Sequence, residues 1–254
     1  MRKSEIQIVW FKRDLRTTDH KPLFEASKNL MPILPIYVIE NEYWKQPFSN
    51  KRHWHFIHDS LIELRKDLKN LGQSLIIRTG SVTDIFNELL TQFDIISIYA
   101  HEETGNKWTY DRDLNVKNWC NEKNVSLIEY PTNGIVRNLK NRDDWSKVRD
   151  LRMKENLIPK PLSLMPVEGI KDGSIPKKNS PIFKNDFIGK VQKGGRVEAL
   201  KIIKSFINNR GKNYLFNISK PGISEKTCSR ISPHLTWGTI SSKEIIKLLN
   251  LNKI

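Results

Sequence analysis

The stretch TCSRISPHLTWG, residues 227–238, carries the side chains best suited to holding a polar ligand. Ser229 and Ser232 provide hydroxyl groups, and the backbone between them adds N–H donors beside the cation of Arg230. A pyrophosphate needs several such donors at close range and gains from a nearby cation. Pro233 favours the start of a helix, so the alternative is that the serines only cap that helix.

A second polar stretch, KRDLRTTDH at residues 12–20, combines three cations with two carboxylates directly after an apolar run. A loop that follows a strand in this way is where a ligand-facing segment is expected. The alternative is an internal ion-pair network, of Arg16 with Asp14 or Asp19, that only fixes the loop.

A third stretch, HEETGNKWTYDRD at residues 101–113, begins with three residues of metal-binding types. No second cluster completes a ligand set, so no metal site is predicted. A hydrogen-bonding pocket for a planar heterocycle, lined by Trp108 and Tyr110, is the functional interpretation. A helix start at which acidic residues are favoured by the helix dipole is the alternative.

These stretches would be positioned by a sheet, because apolar runs of strand length recur along the first half of the chain. The runs cover residues 6–11, 31–39, 74–78, 94–100 and 125–130, with a clear helical pattern over 51–71. Buried strands that alternate with helices predict an α/β fold with a five-stranded, doubly wound parallel sheet. Since no strand is followed by GxGxxG, a Rossmann-type dinucleotide site is not expected.

The rest of the chain predicts a connector and then helices. Residues 137–196 hold five of the 12 prolines and 15 Lys and Arg against 7 Asp and Glu. This composition predicts a basic connector over the surface, with a short helix around 143–155. The expected division is an α/β domain at 1–131, a connector at 132–193 and a helical segment at 194–254. Apolar spacing from Val197 to Phe206 opens that segment, whose uncovered faces predict the start of a larger, truncated helical domain.

The net charge of +15 favours a polyanionic partner such as nucleic acid, or else is only a solvated surface. The two cysteines, Cys120 and Cys228, lie far apart and fit a reducing, cytoplasmic location. No apolar segment approaches the length of a membrane span, and the opening MRKSEIQIVWF fits a strand rather than a signal peptide.

Several of these stretches resemble DNA photolyases and cryptochromes. WFKRDLRTTDHKPLFEA, residues 10–26, is similar to the family's opening WFRxDLRxxDNxAL, with His20 at the usual asparagine. DRDLNVKNW resembles the RD-containing helix after the fourth strand, and GGRVEALKIIKSFI resembles the first helix of the flavin domain. CSRISPHLTWG resembles TSxLSPxLxxG, the segment that wraps the phosphates of FAD. The resemblance covers the whole chain but about half of a family member.

The resemblance implies two cofactors. FAD would be held in part by Tyr214, Thr227, Cys228, Ser229, Arg230, Ile231 and Ser232. Cys228 replaces the usual threonine, and a thiol is a poorer donor, so Thr227 is expected to substitute for it. An antenna pigment, a folate or a deazaflavin, would occupy a pocket formed by Arg13, Asp14, Glu102, Glu103 and Asn106.

The implied activity is light-driven repair of pyrimidine dimers in DNA, or blue-light sensing in the cryptochromes. The residues that hold the isoalloxazine and line the dimer pocket are expected beyond residue 254, so no catalytic residue is assigned in this chain. DNA binding by this chain is then expected to be weak and non-specific. The alternatives are a stand-alone pigment- or nucleotide-binding module and a basic nucleic-acid-binding protein.

Overall fold

The computed structural model describes residues 3–132, 134–137, 139–183 and 189–251. Five parallel strands form one sheet in the order β3-β2-β1-β4-β5. The strands are β1 (Ser4–Phe11), β2 (Ile33–Ile39), β3 (Ile76–Thr79), β4 (Phe93–His101) and β5 (Ser126–Tyr130). The predicted five-stranded parallel sheet is confirmed.

Helices follow the strands and then form a separate group. Around the sheet lie α1 (Lys21–Ala26), α2 (Asn41–Lys45), α3 (Lys51–Lys69), α4 (Val82–Gln92) and α5 (Lys107–Lys123). Then come α6 (Trp145–Lys154), α7 (Arg196–Asn208), a 3-10 helix (Arg210–Asn213), α8 (Tyr214–Asn217), α9 (Ser224–Thr227), α10 (Ser232–Thr236) and α11 (Ser242–Leu251). None of the helices in the described ranges is long and apolar enough to cross a membrane.

Both faces of the sheet are buried, as its alternating side chains show. Val9 and Phe11 of the central strand β1 join one core with residues of α1 and α3. Ile8 and Trp10, on the opposite face, join a second core with residues of α4 and α5. Fully burying one such side chain is worth about 1.5–3 kcal/mol. This two-sided packing explains why the strands are almost continuously apolar and makes the sheet doubly wound.

The connector contributes to the first domain more than its composition indicates. The Leu164 N–H donates to the carbonyl of Leu71 at 2.6 Å, and Ile77 donates to the carbonyl of Asp172 at 2.7 Å. Phe183 stacks on Trp54 with ring centroids 4.1 Å apart. The helix α6 runs over the surface as expected, with no buried residue. Backbone pairing of this kind follows no side-chain pattern, so composition does not reveal it.

The helices after residue 195 enclose a small core of their own. Ala199 and Ile203 of α7 pack with Ile231 and with Ile240 and Ile245 from the end of the chain. Of the predicted apolar face of α7, Leu200, Ile203 and Phe206 belong to this core or pack against it, whereas Val197 is exposed. The predicted helical segment is confirmed, but much of its apolar surface faces solvent.

Candidate cofactor site

The first and last polar stretches of the sequence meet in the fold. The N–H of Leu15 donates to the carbonyl of Trp237 at 3.1 Å, and the Arg16 guanidinium donates to the carbonyl of Gly238 at 3.0 Å. Gly238 has a φ of +64°, and a Cβ there would lie 2.2 Å from the carbonyl oxygen of Arg13. We call this contact the interdomain latch. It requires glycine because both the φ angle and the close approach exclude a side chain.

Next to the latch, the backbone of residues 228–232 has its carbonyl groups tied back into the protein. Arg210 donates to the carbonyls of Cys228 and Ser229, and the Gln192 side chain donates to the carbonyl of Arg230 at 2.9 Å. Arg230 itself has a φ of +57°, which is unusual for a residue other than glycine. The turn is therefore held in one conformation by side chains behind it.

The N–H groups of the same turn are free to bind an anion. Within the described part of the chain, the amides of residues 229–232 and the hydroxyls of Ser229 and Ser232 have no hydrogen-bond partner. Successive N–H groups around a left-handed residue form a nest, a concavity that binds anions. We call residues 229–232 the phosphate turn. Of the predicted flavin residues, it contains Ser229, Arg230, Ile231 and Ser232.

The other predicted flavin residues lie in or next to α8 and α9 and have different partners. Thr227 donates to the carbonyl of Ile223 at 3.3 Å, so its hydroxyl is engaged within α9 rather than standing in for the Cys228 thiol. The Arg230 guanidinium pairs with the Glu225 carboxylate at 3.0 Å. Tyr214 begins α8, which packs against α9.

Of the predicted antenna residues, Asp14 is buried and its carboxylate accepts three hydrogen bonds. One oxygen accepts from the Lys12 N–H at 2.7 Å, and the other accepts from His20 at 2.9 Å and His101 at 2.6 Å. Arg16 pairs with neither carboxylate that the sequence offered, since it donates to the backbone carbonyls of Asp19 and Gly238. The loop is fixed by an internal network, but with different partners from those predicted.

The cluster of Asp14, His20 and His101 contains residue types that bind metals. The tautomer of His20, however, does not suit a metal. The candidate ligand atoms of the three residues lie within 4.8 Å of one another. However, Nδ1 of His20 accepts the N–H of Leu23 at 3.1 Å, which places the proton on Nε2, where it is donated to Asp14. A metal at Nε2 would need the opposite tautomer. The geometry therefore fits a hydrogen-bonded hub rather than a metal.

Burial controls the ionisation of this hub. It lowers the pKa of His101 to about 3 and also lowers that of His20, so both rings are neutral at pH 7. Burial alone would raise the pKa of Asp14, but His20 and His101 outweigh it and hold the pKa well below its usual range. The result is an ionised carboxylate surrounded by three donors.

The remaining antenna residues divide into loop-holding and cavity-facing groups. Glu103 accepts from the backbone of Gly105 at 2.7 Å, and Asn106 caps α5. Glu102 has one buried oxygen with no partner in the described residues, and the Arg13 guanidinium likewise makes no hydrogen bond there. Arg13 instead lies 5.5 Å from the Trp237 ring. Arg13 and Glu102 are thus the antenna residues with unused hydrogen-bonding capacity.

Two cavities between the domains receive these groups. One of about 360 Å³ is lined by Glu102 and Arg13, and one of about 560 Å³ is lined by Arg13, Asn106 and Ser232. By contrast, the space between the sheet edge and Trp44 holds only about 30 Å³. Arg112 lines this space and pairs with the carboxylates of Glu40 at 2.8 Å, Glu103 at 3.0 Å and Asp113 at 2.8 Å. This space is therefore too small for a planar ligand, whereas the cavities of about 360 and 560 Å³ have room for one.

The predicted heterocycle pocket of Trp108 and Tyr110 is not formed as a pair. Trp108 packs edge-on against Tyr43 at 5.5 Å and lines a separate surface cavity of about 520 Å³. Tyr110 does not line that cavity and is exposed. Trp108 and Tyr110 are two residues apart on α5, and side chains at this spacing do not face each other on a helix, which is why the pair separates.

Sequence reasoning missed the residues behind the phosphate turn. Arg210 and Gln192 lie far from the turn along the chain, and neither belongs to a motif. The left-handed conformation of Arg230 also leaves no sequence signal, because glycine or asparagine would be expected there. The spacing of the latch glycine, six residues after Ser232, was the one readable sign that a close contact follows the turn.

Comparisons with known proteins agree with this arrangement. The family model of DNA photolyase matches residues 7–144. A cryptochrome DASH from Arabidopsis thaliana is 30% identical over 105 residues, which is 39% of this chain and 18% of the relative. The crystal structure of a Synechocystis sp. PCC6803 cryptochrome superimposes with a TM-score of 0.81 at 21% identity, covering 100% of this chain and 56% of that one. An archaeal photolyase from Sulfolobus tokodaii, whose structure contains two FAD molecules, gives a TM-score of 0.71 at 21% identity, over 96% and 55% of the two chains.

The chain belongs to the DNA photolyase family, since the family model covers more than half of its length. It spans about half the length of the solved cryptochrome and photolyase that it matches.

Proposed function

We propose that this chain supplies the antenna domain and the phosphate-binding turn of a light-driven flavoprotein. The observation that carries the proposal is the phosphate turn, in which free N–H groups face outward while the carbonyl groups are tied back. Either repair of pyrimidine dimers or blue-light sensing fits a family that includes both photolyases and cryptochromes. We assign no catalytic residue to this chain.

FAD fits the turn through its pyrophosphate. The amides of residues 229–232 and the hydroxyls of Ser229 and Ser232 would hold the phosphate oxygens, and Tyr214 of α8 is proposed as a further flavin contact. When bound, FAD supplies the electron that light excitation releases. The protein's part is to bind and orient it, and only its phosphate end meets residues of the turn.

An antenna pigment, a folate or a deazaflavin, is proposed for the larger interdomain cavity. Its volume of about 560 Å³ is that of a small-molecule pocket. Arg13, unpaired within the described residues, would bind a carbonyl or carboxylate of the pigment, and Asn106 lines the same wall. Glu102 lines the neighbouring cavity rather than this one, and its oxygen without a partner in the described residues is buried.

The turn can be tested by changing its one left-handed residue. Arg230→Gly keeps the φ of +57° accessible, whereas Arg230→Pro removes both that conformation and one N–H donor. We expect the purified chain to carry little or no FAD but to bind inorganic pyrophosphate measurably by calorimetry. Arg230→Gly should retain that binding and Arg230→Pro should lose at least about tenfold, roughly 1.4 kcal/mol. Equal binding by both variants would refute the phosphate turn, and stoichiometric FAD in the purified chain would refute the proposed partial site.

Binding to DNA is proposed to be weak and without sequence preference, because the charge excess is concentrated in the connector. Ultraviolet-irradiated and undamaged duplexes should compete about equally for the chain at physiological salt, and binding should weaken as salt rises. A competition assay that shows a tenfold preference for the damaged duplex would contradict this expectation.

The domain division at 1–131, 132–193 and 194–254 and a cytoplasmic location are parts of the same proposal. The last strand ends at Tyr130 and α7 begins at Arg196, which supports both boundaries of the connector. Cys120 and Cys228 are both free thiols, as in a reducing compartment. Limited proteolysis, with first cuts in α6, would test the division.

A further inference from the structure

Arg210 is placed to control the shape of the phosphate turn without touching a ligand. It begins the 3-10 helix two residues after the end of α7, and its side chain makes four hydrogen bonds. It donates to the Ser205 hydroxyl at 3.0 Å and the Ile202 carbonyl at 2.9 Å in α7, and to the carbonyls of Cys228 and Ser229. The turn is thereby fastened to the end of α7 through one side chain.

The contacts of Arg210 determine which way the N–H groups of the phosphate turn face. A peptide group has its C=O and N–H on opposite sides, so a carbonyl held inward turns the following N–H outward. Arg210 fixes the peptides that carry the amides of Ser229 and Arg230, and Gln192 fixes the next one. If these carbonyls were released, they could rotate outward and repel a phosphate.

The charge of Arg210 adds a second effect. Arg210 forms no ion pair with any carboxylate in the described residues, and its guanidinium is held by neutral oxygens only. A half-buried cation behind the turn therefore keeps its positive potential, which favours an anion on the outer side. Arg230 differs, because its charge is compensated by Glu225.

We propose that Arg210 is the positioning residue of the phosphate turn and sets its affinity for a pyrophosphate group, with Gln192 as its weaker partner. This inference rests on the proposed function, since it assumes that the turn binds phosphate. Substitutions can separate its two effects, the holding of the carbonyl groups and the positive charge. Lysine keeps the charge but lacks the planar fork that reaches several carbonyls, and glutamine loses the charge as well.

The experiment measures inorganic pyrophosphate binding by calorimetry and the conformation of the turn by NMR in the same variants. Arg210→Lys should weaken binding about tenfold, and Arg210→Gln should weaken it further. In both, the chemical shifts of Arg230 should move away from left-handed values. Gln192→Ala should give a smaller change in the same direction, and it serves as the test variant if the Arg210 variants do not fold.

The matched control is Arg65, a half-buried arginine that likewise donates to backbone carbonyls, those of Leu75 at 3.1 Å and Asp172 at 3.4 Å. Arg65→Lys should lower the melting temperature but leave pyrophosphate affinity unchanged, so a purely structural loss is recognised. If wild type binds pyrophosphate and Arg210→Lys binds it equally well, the positioning role is overturned while the proposed function stands. If wild type binds none, the proposed function fails, and unchanged Arg230 shifts in Arg210→Lys would remove the positioning role as well.

Discussion

At the scale of single residues, buried histidines make the stability of this fold depend on pH. The pKa of His101 is about 3 in the folded chain, against about 6.5 for an unfolded histidine. Between these values the unfolded chain binds the proton and the folded chain does not. Stability present at pH 7 is therefore lost as pH falls below about 6.5. His20 and His234, whose pKa values burial also lowers, act in the same direction.

We expect the free energy of unfolding to fall by at least about 2 kcal/mol between pH 7 and pH 5, since each such histidine contributes up to ~1.4 kcal/mol per pH unit. Urea unfolding at the two pH values measures the change. His101→Gln removes one titrating ring and should flatten the dependence. Asp14 adds nothing in this range, because its lowered pKa is passed only at lower pH. A stability that is constant from pH 7 to pH 5 would show that the rings are protonated in the folded chain.

The residue scale is also where sequence and structure differ most. The sequence predicts ligand contacts from the type of side chain in each motif. For Ser229 and Ser232 this prediction fits, because both lie in a turn with donors that are free in the described ranges. Asp14, in contrast, accepts from Lys12 and His20 of its own stretch and from His101, which lies 87 residues away along the chain. A motif specifies which groups are near one another along the chain, but not which partners the fold will bring to them.

Elements followed more directly from sequence, because their signals are local. The apolar spacing of residues 51–71 predicted α3, and the structure gives it bounds of Lys51–Lys69. The pairing of the connector with the sheet was not predictable. The hydrogen bond from Leu164 to Leu71 joins backbone atoms and selects no particular side chain.

Between the elements, the interdomain latch should be sensitive to one methyl group. Gly238→Ala adds a Cβ that meets backbone atoms of Arg13 and Asp14 at 2.2 and 2.5 Å, in addition to the cost of the positive φ. We expect a loss of roughly 2–4 kcal/mol, measured by chemical unfolding.

Gly222→Ala is the control for the latch. Gly222 also has a positive φ, +78°, but a Cβ there meets no atom within 4 Å. Its cost should be limited to the backbone term of about 1–2 kcal/mol. Equal losses for both glycines would mean that the latch contact is not close enough to matter.

For the whole molecule, the most prominent surface feature is apolar. Leu215 and Phe216 in α8 are 83% and 78% exposed, with Ile218 and Ile223 close along the chain. Large apolar groups clustered on a surface mark an interaction site or an aggregation risk. This agrees with the expectation of uncovered apolar faces in the helical segment.

We expect this patch to bind an apolar fluorescent dye such as anilinonaphthalene sulfonate in the native state. The double substitution of Leu215→Ser and Phe216→Ser should remove most of the fluorescence gain. Leu30→Ser with Leu162→Ser is the matched control, because those leucines are 96% and 100% exposed but lie elsewhere. Loss of fluorescence in the control rather than in the α8 variant would place the dye site outside this patch.

The interdomain latch has a consequence for the order in which the chain acquires its shape during synthesis. Arg16 and its partner Gly238 are 222 residues apart, so at 5–20 residues per second the loop after β1 waits ~10–40 s for its acceptor to be made. The sheet pairs of β1 with β2 and β4 are complete long before that time. The loop after β1 therefore reaches its final conformation much later than the strand that precedes it.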